Sequence, residues 1–564
     1  MKTLTKSFLT LMLSTSALFG AAGDDRPVHA DPEVGCQLDK QEAAYVKSFS
    51  GQYKIPMFKR PGKGFENDWA EIASKEIPEW MIDAKFGIYT HWGLYSQAEF
   101  DGNTYIQHIY NPKDRKAISK TNNLTHYDFH RQKYGPAEEF GYTDLVKSFT
   151  CEKYDAVEYV DLMMEAGAKF GGLGVVHHEG YLMWDSDVGR WNAGKTGPKR
   201  DLFGEFMKAA DTKDFKTCAT FHHARSYDYA LKSLRVKGKE DQLETILNNA
   251  AYDINQDEFK DFFFPAHKYP VEQFAQEWHD KIIEVMDKYT PDMIWFDGVA
   301  IDKPNSPEHH VVDFLKFYFK KAAEQGKQVT ICNKLPGSDK SGVTRFNFPQ
   351  GVGIRCYENG RNMPPDNAGY WLWDRAISYP WSWVKDKNYN LTSEYHVRSL
   401  VDIVARGGVF FLSLTPKGNG EIPAEEKQIC REIGAWLKIN GEAIYSTRRW
   451  AIPAEGDVKL NAYQYIAKRK GFWYKYMKTS PQQIRFTQSK DGKDLFVMTL
   501  GWPKSGEILV KNLKTNSPHF PEKITSVKML GSDEEIQFTR TSEGLKIHFP
   551  SQKPCDFAFS FKIN

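Results

Sequence analysis

Six short apolar runs end in side chains of the kinds that do chemistry. They are His91-Trp92-Gly93, His177-His178-Glu179-Gly180, His222-His223, Asp297-Gly298, Asn333-Lys334 and Glu358-Asn359. One such ending is ordinary: a strand-end Asp often caps, and a lone His is usually a satisfied structural group. Six of them are hard to ascribe to packing alone, and they allow two chemistries. Asp297, delivered by Met293-Ile294-Trp295-Phe296 and followed by a glycine that leaves room for a ligand, can pair with Glu358. Two carboxyl groups flanking a bond are what glycoside hydrolysis needs, one to protonate the leaving oxygen and one to act at the anomeric carbon. Trp295 offers that sugar an apolar wall. Alternatively His91, His177 or His178, His222 or His223, and Asp297 are a ligand set suited to zinc. No H-x-H or H-E-x-x-H spacing supports that reading. Adjacent histidines on a strand point to opposite faces, so each pair offers at most one easy inward ligand.

The elements that must position these residues alternate. β-type runs cover Lys85–Trp92, Gly171–His178, Thr217–His223, Asp292–Asp297, Gln328–Lys334, Val352–Glu358 and Gly408–Thr415; amphipathic helices cover 155–169, 202–214, 271–290, 310–326, 393–406 and 423–439. Within 271–290, Val271, Phe274, Trp278, Ile282, Val285 and Tyr289 recur every three or four residues and make one buried face. Strand–helix alternation predicts a parallel sheet. About seven units without a Gly-rich phosphate loop favour an α/β (β/α)8-like barrel, whose chemistry sits where strands end in loops. After residue 445 the helices stop, and alternating segments such as Asp494–Leu500, Glu507–Val510, Ile524–Met529 and Gly544–Phe549 predict a C-terminal antiparallel β-sandwich. The expected division is a signal peptide at 1–22, an N-terminal extension at 23–78, the barrel at 79–450 and the sandwich at 451–564.

Composition bounds the partners. The 564 residues carry 75 Lys and Arg against 73 Asp and Glu, a formal charge of +2, which gives no electrostatic argument for nucleic acid or an anionic membrane. Hydrophobic residues make up 41%, enough for a sizeable core, and aromatic residues 14%, with 15 Trp and 28 Tyr that also suit sugar stacking. Lys2 and Lys6, an apolar stretch from Phe8 to Phe19 and Gly20-Ala21-Ala22 read as an export signal, so the expected location is periplasmic or extracellular. No segment is long enough to span a bilayer. The seven cysteines are scattered without a C-x-x-C pair, which excludes a zinc knuckle or thioredoxin motif and leaves at least one thiol free. Asn123-Leu124-Thr125 and Asn390-Leu391-Thr392 are glycosylation sequons that matter only in a eukaryotic source.

Longer motifs bring a resemblance. Trp80 to Ser96 (WMIDAKFGIYTHWGLYS), His177 to Ser186 (HHEGYLMWDS), Gly197 to Leu202 (GPKRDL), Tyr289 to Gly298 (YTPDMIWFDG) and Asn440 to Tyr445 (NGEAIY) stand in order, with Gly501-Trp502-Pro503 and Lys528 to Ser532 near the C-terminus. Together, over about residues 70–560, the chain resembles glycoside hydrolase family 29, the α-L-fucosidases. The resemblance implies a retaining exo-glycosidase acting on fucosylated or related oligo- or polysaccharides, with no cofactor and no metal. It implies Asp297 as nucleophile and Glu358, upstream of Trp371-Leu372-Trp373-Asp374, as acid/base; Glu99, Glu179 and Glu394 are the other carboxylates nearby. His91, His177 and His178 would hold sugar hydroxyls, and Trp295 and Trp381 would pack on the sugar's apolar face. His222, where the family often has an aromatic hydroxyl, Tyr105 and Lys334 complete the expected binding set. Three departures stand out. Asn103-Thr104-Tyr105 replaces a Glu-Trp-Tyr whose Glu binds hydroxyls, Cys332-Asn333-Lys334 replaces Asn-Asp-Arg, and Glu179 replaces the more usual Asp. They leave open an α-L-galactosidase or a fucosidase specialised for sulfated algal glycans; an inactive carbohydrate-binding homologue is the third reading.

Overall fold

The structure is a computed structural model and describes residues 57–114, 124–334, 337–338, 344–358, 370–389, 391–456 and 480–564. Eight parallel strands close into a barrel in sequence order. They are β1 (Phe86–Thr90), β2 (Phe170–Val176), β3 (Lys216–Phe221), β4 (Met293–Phe296), β5 (Thr330–Lys334), β6 (Ile354–Glu358), β7 (Trp371–Ala376) and β8 (Gly408–Leu414). Seven of them match runs read from the sequence. The eighth, β7, is read there only as a motif: Trp371, Leu372 and Trp373 present no alternation, because this strand is buried on both faces.

Side-chain period explains what the barrel holds. Residues two apart share a face. Tyr89, Cys218, Met293, Trp295, Cys332, Cys356, Leu372 and Phe411 therefore fill the interior as one cluster. One step further up the same inward rows stand His91, Asp297, Lys334, Glu358 and Asp374, and two steps above Cys218 stands His222. The outward rows meet the helices in a second, larger cluster that includes Phe221, Trp278, Ile282, Phe296, Phe314 and Leu412. The six predicted helices are present as Ala156–Glu165, Leu202–Asp211, Val271–Tyr289, Glu308–Glu324, Ser393–Ala405 and Ala424–Asn440. The Gly197 to Leu202 motif is structural here: the Asp201 carboxylate accepts from the Gly204 amide and caps helix Leu202–Asp211, a contact of about 1 kcal/mol.

Two expectations about boundaries change. The stretch 57–78 packs on the barrel rather than extending from it. Met57–Phe58 pairs with residues 345–346, Trp69 and Ile72 are buried, and the Trp69 indole donates to Glu308 at 2.7 Å. Two apolar side chains on an eight-residue helix are too few to make a periodic signal. At the other end, strand Arg448–Glu455 joins the C-terminal sheet, so the expected boundary at 450 falls inside it. The C-terminal part is antiparallel, a five-stranded sheet facing a three-stranded one around its own core of Phe486, Val497, Ile508, Leu545 and Phe561. The proposed signal peptide, Asn123 and Asn390 lie outside the described residues. The six described cysteines form no disulfide, and among the described residues no helix is long and apolar enough to cross a membrane.

Candidate active site

The strand ends bring most of the expected residues to one mouth, in two arcs. The first arc is made of imidazoles. His91 lies 5.1 Å from His222 and 5.5 Å from His177 between ring centres, and His177 stacks on His222 at 4.4 Å. Burial, then the neighbouring cationic and imidazole groups, holds His91 and His177 well below the ordinary histidine range, and burial does the same to His178. These rings are neutral. The His91 Nδ1 meets the Ser413 hydroxyl at 2.7 Å. The His178 Nδ1 lies 2.8 Å from the His222 carbonyl, which can only accept, so Nδ1 carries a proton, while Nε2 is turned toward Asp297.

The two histidine pairs behave differently. His222 points inward and His223 outward, against the Trp278 carbonyl at 3.4 Å, as alternation requires. His177 and His178 both face the mouth. Strand β2 carries a register shift between Gly174 and Val176 and ends before the pair, so the one-ligand rule read from the sequence does not hold for them.

The second arc is charged. The Lys334 ammonium is 3.2 Å from Asp297, 3.3 Å from Glu358 and 3.7 Å from Asp374. It lies 4.1 Å over the Trp295 ring. Burial works against this cation, but Asp297, then Glu358 and Asp374, outweigh it and raise its proton affinity. Burial likewise opposes the Asp297 charge; Arg225 and Lys334, with a polar contact from His222, outweigh it and hold the carboxyl well below the usual range. Asp297 is thus ionised, with His178 Nε2 at 3.4 Å, Arg225 at 3.6 Å and His222 at 3.8 Å. Because one ammonium touches both, the facing oxygens of Asp297 and Glu358 lie no more than about 6.6 Å apart, twice the longer contact.

Several expected roles need correction. Tyr105 is not at the mouth. It is fully buried, its hydroxyl pairs with the His130 Nδ1 at 2.8 Å, and its ring packs beside Phe100, His126 and Phe129. Trp295 is also fully buried, with one face under Lys334, so it forms the floor rather than an open wall. Trp381, by contrast, is half-buried at the rim, 4.9 Å from His91. Asn333 turns outward and accepts from the Phe348 amide. Glu99 pairs with Lys133 and Glu394 with Arg398, both on partly exposed surface.

Three further residues take part beyond the expected catalytic and binding set. Asp374 is buried beside Lys334 and accepts from the Cys356 thiol at 3.1 Å; burial pushes it up to about 6 against the pull of Lys334. It is the second inward residue of β7, after Leu372. Glu179 is buried next to His177, with its Oε2 3.7 Å from Nδ1, and burial pushes it up to about 8 although backbone amides, Leu94's among them, favour its charge. Arg225 had no strand-end or motif signal at all.

Two sets, His91/His177/His222 and His178/His222/Asp297, bring donor atoms within 4.8 Å of one another. That spacing would suit an ion as well as a sugar hydroxyl, so geometry alone keeps both chemistries open.

Comparison with known proteins decides the family. The α-L-fucosidase profile matches residues 58–442 and the α-L-fucosidase C-terminal domain profile matches residues 478–564. Rat plasma α-L-fucosidase is 25% identical over 517 residues, covering 88% of this chain and 94% of the relative. Human tissue α-L-fucosidase is 25% identical over 520 residues, covering 89% and 92%. The Thermotoga maritima α-fucosidase solved with fucose shares the fold, with a TM-score of 0.63 at 22% identity over 88% of this chain and 99% of that one. So does a family 29 α-L-fucosidase from Bacteroides thetaiotaomicron trapped as a covalent intermediate, with a TM-score of 0.58 at 18% identity over 91% and 100%. The closed barrel, the antiparallel C-terminal sheets and both profile matches together make this chain a glycoside hydrolase of the α-L-fucosidase family.

Proposed function

We propose that this enzyme is an exported, retaining exo-α-L-fucosidase that releases terminal fucosyl residues from oligo- or polysaccharides. The observation that carries the reading is the placement of Asp297 and Glu358 on one Lys334 ammonium at the barrel mouth. Asp297 is ionised and rigidly seated at the end of β4, its amide bonded to the Phe221 carbonyl at 2.8 Å, as a nucleophile should be. Glu358 faces it and serves as the acid that protonates the leaving oxygen and then as the base that activates water. The upper bound of about 6.6 Å on their facing oxygens favours the retaining separation of about 5–5.5 Å over most of the inverting range, about 6.5–9.5 Å. The covalent intermediate trapped in the Bacteroides relative supports the same course. His91, His177, His178 and His222 supply neutral donors and acceptors for the sugar hydroxyls, Trp381 covers the apolar side and Lys334 keeps the carboxylates together.

Hydrolysis of an aryl α-L-fucoside followed by NMR tests this. Early release of α-fucose is expected; β-fucose first would overturn retention. Activity lost in EDTA and restored by zinc would favour the metal reading. Fucose binding with no product from any α-L-fucoside would favour a binding protein.

One observation favours a second assignment of the acid. Asp374 is the register partner of Glu358 on the neighbouring strand, and its carboxyl, pushed up to about 6, is protonated closer to neutral pH than an ordinary aspartate.

A further inference from the structure

Arg225 sits on the short turn His223–Arg225 after β3. One of its terminal nitrogens is 3.6 Å from the Asp297 Oδ2, too long for a hydrogen bond, and its side chain makes no hydrogen bond to any described residue. A guanidinium has five N–H donors in a planar fork that matches carboxylates and oxyanions. Here the side chain is 34% exposed, so the fork is partly open to an incoming ligand. Lys334, the other cation of the site, is buried and already shared among three carboxylates.

The position is built rather than incidental. Gly298, with φ +78°, passes directly under Arg225, and a Cβ there would stand 2.4 Å from the Arg225 Nε. The glycine after the nucleophile therefore lets this side chain lie across the nucleophile's own turn. The Tyr229 hydroxyl donates to the Asn103 carbonyl at 3.2 Å, and the Tyr229 ring lies 5.0 Å from His178. Next to Asn103, the Thr104 hydroxyl donates to the Asp101 carboxylate, which His126 also contacts.

Resting on the fucosidase reading, we propose that Arg225 is an anion-recognition point that selects glycans carrying a sulfate ester or a carboxylate beside the scissile fucosyl bond. The competing role for Arg225 is purely to keep Asp297 ionised, which would serve neutral and anionic substrates alike.

The test measures kcat/KM for matched fucosyl oligosaccharides that are neutral, sulfated or uronate-bearing, with inorganic sulfate as an inhibitor of aryl α-L-fucoside hydrolysis. Sulfate should compete in the parent enzyme, and Arg225→Gln should weaken it at least tenfold. The anionic-to-neutral ratio of kcat/KM should fall about tenfold in Arg225→Gln, equivalent to about 1.4 kcal/mol. Arg225→Lys should restore part of the ratio. Raised salt should slow the anionic substrate more than the neutral one. Whichever of the sulfated and uronate substrates carries the Arg225 dependence identifies the substituent. An equal loss on neutral and anionic substrates in a folded Arg225→Gln, or sulfate inhibition that this variant leaves untouched, would overturn the proposal. Should no fucoside be cleaved at all, the fucosidase reading fails by itself. Calorimetric sulfate binding to the parent and to Arg225→Gln then still decides the anion site.

Discussion

The two arcs of the mouth solve opposite problems with the same burial. At the ends of β1–β3, desolvation leaves the imidazoles uncharged. At the ends of β4 and β5 it is outweighed, because Lys334 and Arg225 keep Asp297 charged and the carboxylates keep Lys334 charged. A neutral arc can donate and accept toward hydroxyls without electrostatic commitment, which is what discrimination among sugars needs. A charged arc supplies preorganised groups where charge develops in the transition state. Substitutions in the first arc should therefore act on substrate choice, and those in the second on bond cleavage.

The sharpest way to break that comparison is at Asp297. Asp297→Ala should lower kcat on an aryl α-L-fucoside by roughly 10⁴–10⁶, the scale seen when a covalent nucleophile is removed. Added azide should restore turnover as the inverted fucosyl azide. Residual activity above a few per cent would take the nucleophile elsewhere.

The acid comes next. Glu358→Ala should cost about 10²–10⁴ on an oligosaccharide with a poor leaving group and much less on a nitrophenyl fucoside, which needs little protonation. Asp374→Asn should cost less than about tenfold on both. If the two variants exchange these patterns, Asp374 is the acid and Glu358 its neighbour.

Lys334→Gln should lower kcat/KM by about 10²–10³, comparable to losing one preorganised charge partner. Its more telling readout is the pH profile. Lys334 lowers the proton affinity of both Asp297 and Asp374. Without it these carboxyls hold protons to higher pH, and the acidic limb should move upward. Lys334→Arg should return most of that shift. A profile that merely scales down would make Lys334 a packing residue.

How much of this could be read from residues alone follows the same division. The histidines and Asp297 end apolar runs that alternate or are bounded by glycine, so strand ends and inward faces were legible. β7 was not, because a strand buried on both sides has no period of two in its polarity, and with it went the inward position of Asp374. Tyr105 was misplaced because its assignment rested on a short motif match in a loop region, where no strand or helix fixes direction; the loop instead turns its ring into the cluster around His130. Arg225 gave no signal, since its position depends on a turn and on the absent Cβ of Gly298.

The smallest expected effect concerns Glu179, which belongs to the neutral arc although it is a carboxyl. It is buried under His177, with neither oxygen completing a side-chain hydrogen bond, and burial pushes it up to about 8. Its ordinary value is 4.5. The folded protein therefore holds a proton there that the unfolded chain has released. Linkage gives the sign: where the folded state binds more protons, stability falls as pH rises, here between about pH 4.5 and 8, with a ceiling of roughly 5 kcal/mol. Glu179→Gln keeps the size and the neutral state and cannot ionise. It should match the parent in urea unfolding near pH 4.5 and exceed it near pH 8, by about 1–3 kcal/mol once relaxation of the site is allowed for. It should also flatten any change in KM over that range, because a charge on Glu179 would raise the proton affinity of His177 and commit the neutral arc. Equal pH dependence in both proteins would mean that Glu179 is ionised at neutral pH and that the contrast between the arcs is weaker than burial makes it.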